Sequence, residues 1–148
     1  MESPCSPSTP VSDLQALLAS LEPTLQDGMY VFASLPAGSG WLGVVEPLAT
    51  FREREGLSVV VEASVAEAAG WPVLFRAAWI TLSVHSDLHA VGLTAAVSTA
   101  LTEAGISCNM VAAACHDHLF VPWDARQASL EVLHALQREG SARRVVPA

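Results

Sequence analysis

The chain has 148 residues, of which 51% are hydrophobic, and a formal net charge of −8 from 15 acidic against 7 basic residues. This hydrophobic content is enough to bury a core, either as one compact domain or as two small ones. An acidic surface repels phosphate groups, which argues against nucleic acid and anionic membrane as partners. No apolar run reaches the ~18 residues typical of a membrane span, and the N-terminus lacks the pattern of a signal peptide.

The first third of the chain predicts a tail, a helix and a strand. Residues 1–11 are rich in Ser and Pro, which predicts a disordered tail. A helix is expected from Ser12 because leucines follow at spacings of three and four, with Gln15 completing a capping box and Pro23 ending the helix. Residues 30–35 are typical of a buried strand that ends in a Pro and Gly cluster.

A hairpin followed by a helix occurs twice in the sequence. In the first half, two strand-like runs meet at Gly56 and a short helical piece follows to Gly70. Residues 55–70 (EGLSVVVEASVAEAAG) parallel residues 117–133 (DHLFVPWDARQASLEVL) in this order. This similarity indicates a degenerate internal repeat. The first copy is incomplete, because GSGWLGVVEP stands where a first helix would be expected.

The most complete pattern lies in residues 80–123, which predict a strand, a helix and a hairpin. After the strand, the polar residues His85, Ser86 and Asp87 are expected to start a helix that continues to Ala104 and ends at Gly105. One apolar face of this helix would hold Leu93, Val97, Leu101 and Ala104. A final helix is expected from a capping box at Asp124 to about Gly140, with Ala128, Val132 and Leu136 on its apolar face.

The strings SDLHAVGLTAAVSTALTEAGISCN and HDHLFV resemble the ACT domain, a regulatory module of aspartate kinase and related enzymes. The chain is more similar still to small stand-alone bacterial ACT-like proteins, which share EGL, VGLTAAVS and HDH. The resemblance implies an α+β fold of tandem ferredoxin-like βαββαβ modules, with helices on one face of an antiparallel sheet. An incomplete first module would occupy residues 12–72, a second module residues 73–140, and a tail residues 141–148.

The resemblance also implies a binding site in the loop that connects a strand to the following helix. An effector amino acid would contact the loop there, which makes the candidate ligand-binding residues Ser86, Asp87, Leu88, Val91 and Gly92, with Asn109 on the neighbouring strand. The free N–H groups of a helix start favour a carboxylate. In the competing interpretation Ser86 and Asp87 only cap the helix and Gly92 packs against the sheet.

Metal binding and catalysis are weaker interpretations of the same residues. His116 and His118 could supply metal ligands, but a hairpin turn that uses Asp117 to bond its own backbone explains them as well. Cys108 and Cys115 are interpreted as small core residues of a strand, and a reducing cytoplasm is expected. The sequence carries no nucleophile elbow, phosphate loop or dinucleotide fingerprint, so neither an enzyme nor a cofactor is expected.

The sequence therefore predicts a small regulatory or sensor protein that binds an amino acid or similar small carboxylate at a module interface. The alternative is a structural interaction module, without a small ligand, that forms a homodimer or docks on a partner enzyme.

Overall fold

A computed structural model of the protein describes residues 13–40, 44–84 and 89–144. In chain order its elements are α1 Leu14–Ala19, β1 Pro23–Leu25, β2 Tyr30–Leu35, β3 Ala49–Arg52, β4 Leu57–Glu62, α2 Ala63–Ala69, β5 Phe75–Leu82, α3 Leu93–Glu103, β6 Asn109–Ala112, β7 Asp117–Pro122, a 3₁₀ turn Trp123–Ala125 and α4 Arg126–Arg144. They form two compact units. We call residues 27–78 the insert unit and the residues on either side of this segment the flanking unit.

The insert unit has the strand order β3-β4-β2-β5, and every pair is antiparallel. Alternate residues of β2 and β4 point to the same face, where Val31, Ala33, Val59 and Val61 pack under Ala66 of α2. This is the strand order of a βαββαβ module. Between β2 and β3 the described residues contain no helix, which confirms that the first module is incomplete.

The flanking unit has the strand order β1-β5-β7-β6 and three helices, α1, α3 and α4. Strand β1 pairs antiparallel with the end of β5, so that Thr24 lies opposite Thr81. A strand from the N-terminal side of the chain thus takes the place of the last strand of the second βαββαβ module. The core of the flanking unit consists of fully buried side chains, among them Leu17, Ile80, Leu82, Val97, Leu101, Leu119, Val121 and Leu133.

The predicted ferredoxin-like α+β fold is confirmed, while several helix boundaries were wrong. Helix α1 is capped by Asp13, whose carboxylate accepts a hydrogen bond from the Ala16 N–H at 2.8 Å, and not by Ser12. Helix α3 begins at Leu93, several residues after the predicted start, with Gly92 as its N-cap. Helix α4 begins at Arg126 after a 3₁₀ turn and continues to Arg144, so residues 141–144 are helical and not a tail.

The buried face was predicted almost correctly for α3 and incorrectly for α4. In α3 the buried residues are Leu93, Val97 and Leu101 as predicted, whereas Ala104 is the exposed C-cap. In α4 the buried face is rotated by one residue from the prediction. Ser129 and Leu133 are fully buried there. The polar Ser129 hydroxyl can be buried because it donates a hydrogen bond to the Ala125 carbonyl at 2.8 Å.

Two glycines let α1 approach its neighbouring helices closely. A Cβ at Gly140, near the C-terminal end of α4, would lie 2.7 Å from the Leu18 Cβ and 2.9 Å from the Ala19 nitrogen. A Cβ at Gly92 would lie 3.0 Å from Leu14 Cδ2, and its φ of +106° belongs to the region that favours glycine. Within the described residues no helix combines the length and apolarity needed to cross a membrane.

The division into units differs from the predicted module boundaries. The sequence assigned residues 12–72 to a first module, whereas the contacts group α1 and β1 with the elements after residue 78. The physical reason is that β1 completes the sheet of the flanking unit and α1 fills its helical layer. Residues 1–12 and 145–148, which include the predicted N-terminal tail, lie outside the described residues.

Candidate functional site

A cleft of about 580 Å³ opens between the three helices of the flanking unit. Helix α1 contributes Leu14 and Gln15, and α3 contributes its N-cap Gly92 and the small residues that follow. Helix α4 contributes Glu139 and Arg143. The cleft therefore combines an apolar wall with polar side chains from α1 and α4.

The start of α3 supplies hydrogen-bond donors to this cleft. The first intrahelical bond runs from the Ala96 N–H to the Gly92 carbonyl, 2.9 Å away, so the N–H groups of residues 93–95 have no intrahelical acceptor. The helix dipole adds partial positive charge at this end. The Arg143 guanidinium lines the same cleft. Together these groups favour a carboxylate or another small anion.

The same cleft also contains hydrogen-bond acceptors. The Gln15 Oε1 atom is buried and accepts no hydrogen bond from the described residues. A buried carbonyl oxygen in a folded protein normally has a donor, so this atom lacks the partner that a ligand could supply. The Glu139 carboxylate lines the cleft as well. A small zwitterion, with one anionic and one cationic group, matches this combination.

The structure describes half of the residues predicted for the ligand site. Ser86, Asp87 and Leu88 lie outside the described residues. Val91 is 84% exposed, and Gly92 lines the cleft as the N-cap of α3. The space beside the Gly92 Cα is filled by Leu14, so this glycine permits the approach of α1.

Asn109 lies on β6, which β7 separates from β5 in the sheet of the flanking unit. It begins β6 opposite Phe120, whereas His118, two residues earlier in β7, lies 3.3 Å from the Thr81 hydroxyl near the end of β5. Asn109 is thus displaced along the strands from the β5 end, and two strand spacings of about 5 Å each separate it from β5. The place of Asn109 in a ligand site stays a prediction.

His118 is part of a polar chain on the sheet. Its Nδ1 accepts a hydrogen bond from Trp79 Nε1 at 3.1 Å and lies near the Thr81 hydroxyl, which in turn accepts from Gln26 Nε2 at 3.2 Å. Because indole nitrogen only donates, His118 is neutral with its proton on Nε2. Burial lowers the pKa of His118, the neighbouring His116 lowers it further, and Asp117 opposes both.

The metal interpretation of His116 and His118 gains no support from this geometry. Nδ1 of His118 is already used as an acceptor. In the part of the chain that the structure describes, no three His, Cys, Asp or Glu side chains come together as a metal site would require.

The cysteines also differ from the prediction. Cys108 precedes β6 and Cys115 lies in the turn between β6 and β7, so both are half-buried and neither belongs to a strand. Cys108 is a free thiol whose pKa is raised by burial.

Gln15, Glu139 and Arg143 were missed by sequence reasoning. They come from opposite ends of the chain and meet only because α1 packs against α3 and α4. The amphipathic pattern of α1 predicted that it covers something, but no local pattern named its partner.

The chain is similar to known proteins both in sequence and in fold. Two family models, both described as ACT domain, match residues 9–78 and 75–135. A solved structure from Vibrio cholerae, of a protein of unknown function described as a possible transport protein, is 46% identical. That match covers 84% of this chain and 95% of the other, with a TM-score of 0.76.

Two further solved structures share the fold at low identity. An Agrobacterium tumefaciens protein is 19% identical over 79% of this chain and 89% of its own, with a TM-score of 0.63. The ligand-free regulatory subunit of aspartate kinase from Thermus thermophilus is 10% identical over 79% of this chain and 98% of its own, with a TM-score of 0.57. No curated protein sequence matches the chain.

Proposed function

Because the chain belongs to the ACT-domain family, with two such domains in tandem, we propose that it is a regulatory protein that binds a small amino acid in the cleft between α1, α3 and α4. The observation that carries the choice of site is the buried, unpaired Oε1 atom of Gln15, a residue that lines the same cleft as Arg143 and Gly92. These groups can bind a small polar ligand.

The chemistry of an α-amino acid fits both kinds of group. Its carboxylate would accept hydrogen bonds from the N–H groups at the start of α3 and from Arg143. Its ammonium would donate to Gln15 Oε1 and pair with Glu139. Ser86, Asp87 and Leu88 stay predicted contacts of the same ligand, since they precede this helix start by only a few residues.

Binding in this cleft would be coupled to the position of α1. The helix has six residues, too few to persist without packing. A ligand held by α1, α3 and α4 together would bind only the docked arrangement and would therefore stabilise it. This is a physical basis for a regulatory response.

The test is isothermal titration of the purified protein against the twenty amino acids, followed by variants of the cleft. We expect Arg143→Ala and Gln15→Ala each to weaken binding at least about tenfold, the loss of one good polar contact. Arg138→Ala is the matched control, because Arg138 is an exposed arginine of the same helix outside the cleft. Equal affinities for wild type, Arg143→Ala and Gln15→Ala would contradict the proposal.

The alternative function, an interaction module without a small ligand, is favoured by a different observation. The insert unit presents an exposed edge strand, β3, with a half-exposed phenylalanine. Pairing through β3 would itself be compatible with ligand binding, because the cleft lies in the flanking unit.

A further inference from the structure

We propose that the ligand of this cleft is an amino acid with an aliphatic side chain, as in valine or leucine, and that this side chain lies between α3 and α4. The assignment rests on the function proposed above, whose site binds the carboxylate and the ammonium common to all amino acids. It names the class of side chain that the remaining part of the cleft would select.

The polar groups of the cleft gather at one end, beside α1. A Cβ at Gly92 would lie 3.0 Å from Leu14 Cδ2, and a Cβ at Gly140 would lie 2.7 Å from the Leu18 Cβ. Helix α1 therefore holds the start of α3 and the end of α4 close together. Arg143 follows Gly140 by less than one helical turn. The carboxylate and the ammonium of the ligand are thus bound at this end of the cleft.

The rest of the cleft extends away from α1, between α3 and α4. Ala100 follows Gly92 by eight residues and Val132 precedes Gly140 by eight residues. At 1.5 Å per residue, Ala100 and Val132 each lie about 12 Å along their helices from the polar end. Both residues line the cleft, and the two helices contact each other. A ligand that binds its polar groups beside α1 therefore has room for its side chain between these helices.

Half-buried apolar side chains form the wall of this part of the cleft. Thr99 also lines the cleft, but it is exposed. An aliphatic side chain gains free energy when it leaves water for an apolar wall. An amide or a charged group would lose hydration there without a partner in the wall, which is unfavourable. The apolar residues of the wall are Ala96, Ala100, Val132, Ala135 and Leu136.

The sequence pattern of α4 shows that part of this wall is separate from the core. Ala128, Val132 and Leu136 recur every four residues and were predicted to form the buried face. The fully buried residues of this helix are instead Ser129 and Leu133. Helix α4 therefore has a second apolar stripe, and Val132 and Leu136 of this stripe line the cleft. An aliphatic ligand would cover the apolar surface that the core leaves half-buried.

A cationic side chain is the competing choice, because Glu103 also lines the cleft. Glu103 is exposed and follows Gly92 by eleven residues, which corresponds to about 16 Å along α3. A lysine side chain has five bonds of about 1.5 Å from Cα to Nζ, so it spans less than half of this distance. A lysine held at the polar end would therefore leave its ammonium against the apolar wall.

The test is isothermal titration with amino acids that differ only in the side chain. We expect affinity to rise from alanine through valine to leucine by about threefold for each added carbon, because each carbon removes more apolar surface from water. Norleucine and lysine form the matched pair of ligands, since both have a straight chain of four carbons and lysine adds an ammonium. Lysine should bind at least about tenfold more weakly than norleucine.

Two variants test where the side chain lies. Val132→Ser makes the wall more polar, and Ala100→Leu fills the space between the helices. Each should lower the ratio of leucine affinity to alanine affinity at least about fivefold. Thr102→Leu is the matched control, because it adds the same side chain at an exposed residue of α3 outside the cleft and should keep the wild-type ratio. Both ligands are titrated into the same preparation, so a misfolded fraction does not change this ratio.

Failure of the side-chain assignment and failure of the site give different results. Amino-acid binding that depends on Arg143 and Gln15, but is equal for alanine and leucine or for lysine and norleucine, overturns the aliphatic assignment alone. A leucine preference that persists in both Val132→Ser and Ala100→Leu overturns the placement of the side chain between α3 and α4. If none of the amino acids binds, the site and the assignment are both wrong.

Discussion

Among the described residues, the flanking unit covers one face of its sheet with three helices, whereas the insert unit has one helix of seven residues and a loop for the same purpose. In the flanking unit, Gly92 and Gly140 bring α1 into direct contact with its neighbours. In the insert unit, Val45 and Trp71 pack at the margin of the core. The same strand order therefore tolerates the loss of a helix when loop side chains supply apolar area in its place.

The opposite faces of the sheets also differ. In the flanking unit this face carries the polar chain from Gln26 through Thr81 and His118 to Trp79. In the insert unit it carries aromatic rings, including Phe32 and Phe75, whose centroids are 5.7 Å apart in an edge-to-face contact. A polar chain specifies which groups must meet, while an aromatic face gains mainly from area.

The largest effect is expected where the helical layer of the flanking unit is tightest. Gly140→Ala introduces a methyl group 2.7 Å from the Leu18 Cβ and 2.9 Å from backbone, so α1 must move away. We expect the free energy of unfolding in urea to fall by about 3 kcal/mol, although alanine favours a helix. Ser141→Ala, at the next and exposed residue, should change it by less than about 0.5 kcal/mol. Equal stability of the two variants would mean that α1 is not held there.

A smaller effect is expected from the cover of the insert unit. Trp71 is half-buried against the core and follows Gly70, which ends α2 in the left-handed region with φ +67°. Trp71→Ala should lower the free energy of unfolding by about 2 kcal/mol, less than for a fully buried tryptophan. Leu74→Ala is the control, since a residue that is 70% exposed loses little on truncation. If both substitutions cost the same, Trp71 does not replace the missing helix.

The difference between the units also explains what could be predicted from sequence. Strand β2 and the hairpin of β3 and β4 follow the predicted pattern closely, because alternation and the turn at Gly56 are local signals. At Gly56 the structure shows why glycine is needed, since a Cβ would lie 2.3 Å from the Leu35 carbonyl oxygen. Strand β1 was not predicted, because three residues carry no period and its pairing partner β5 is more than fifty residues away.

The candidate site was predictable only in part, for the same reason. The residue Gly92 at the start of α3 could be named, since a strand, a polar break and a helix follow one another in sequence. Its neighbour Leu14 and the cleft residue Arg143 could not, because they reach α3 through tertiary packing of distant helices. Asn109 was grouped with Gly92 by resemblance, and that grouping stays a prediction.

The smallest effect is expected from the polar face of the flanking unit and depends on pH. Burial holds the pKa of His118 below the ordinary value of 6.5, so the unfolded chain binds the proton more readily. The contribution of His118 to stability is therefore complete above about pH 6.5 and is lost as the pH falls toward the lowered pKa. Protonation would also set an N–H on Nδ1 against the Trp79 N–H. Because His118 is only partly buried, we expect the loss to stay below about 1 kcal/mol.

Urea unfolding of the wild type and His118→Gln at about pH 7.5 and pH 5.5 measures the pH-dependent contribution of His118 to the free energy of unfolding. Glutamine cannot titrate there but still offers Trp79 an acceptor, so the difference between the two proteins should shrink or reverse at the lower pH. An identical pH dependence in wild type and variant would show that the His118 proton is not linked to folding, and that the polar face matters only by packing.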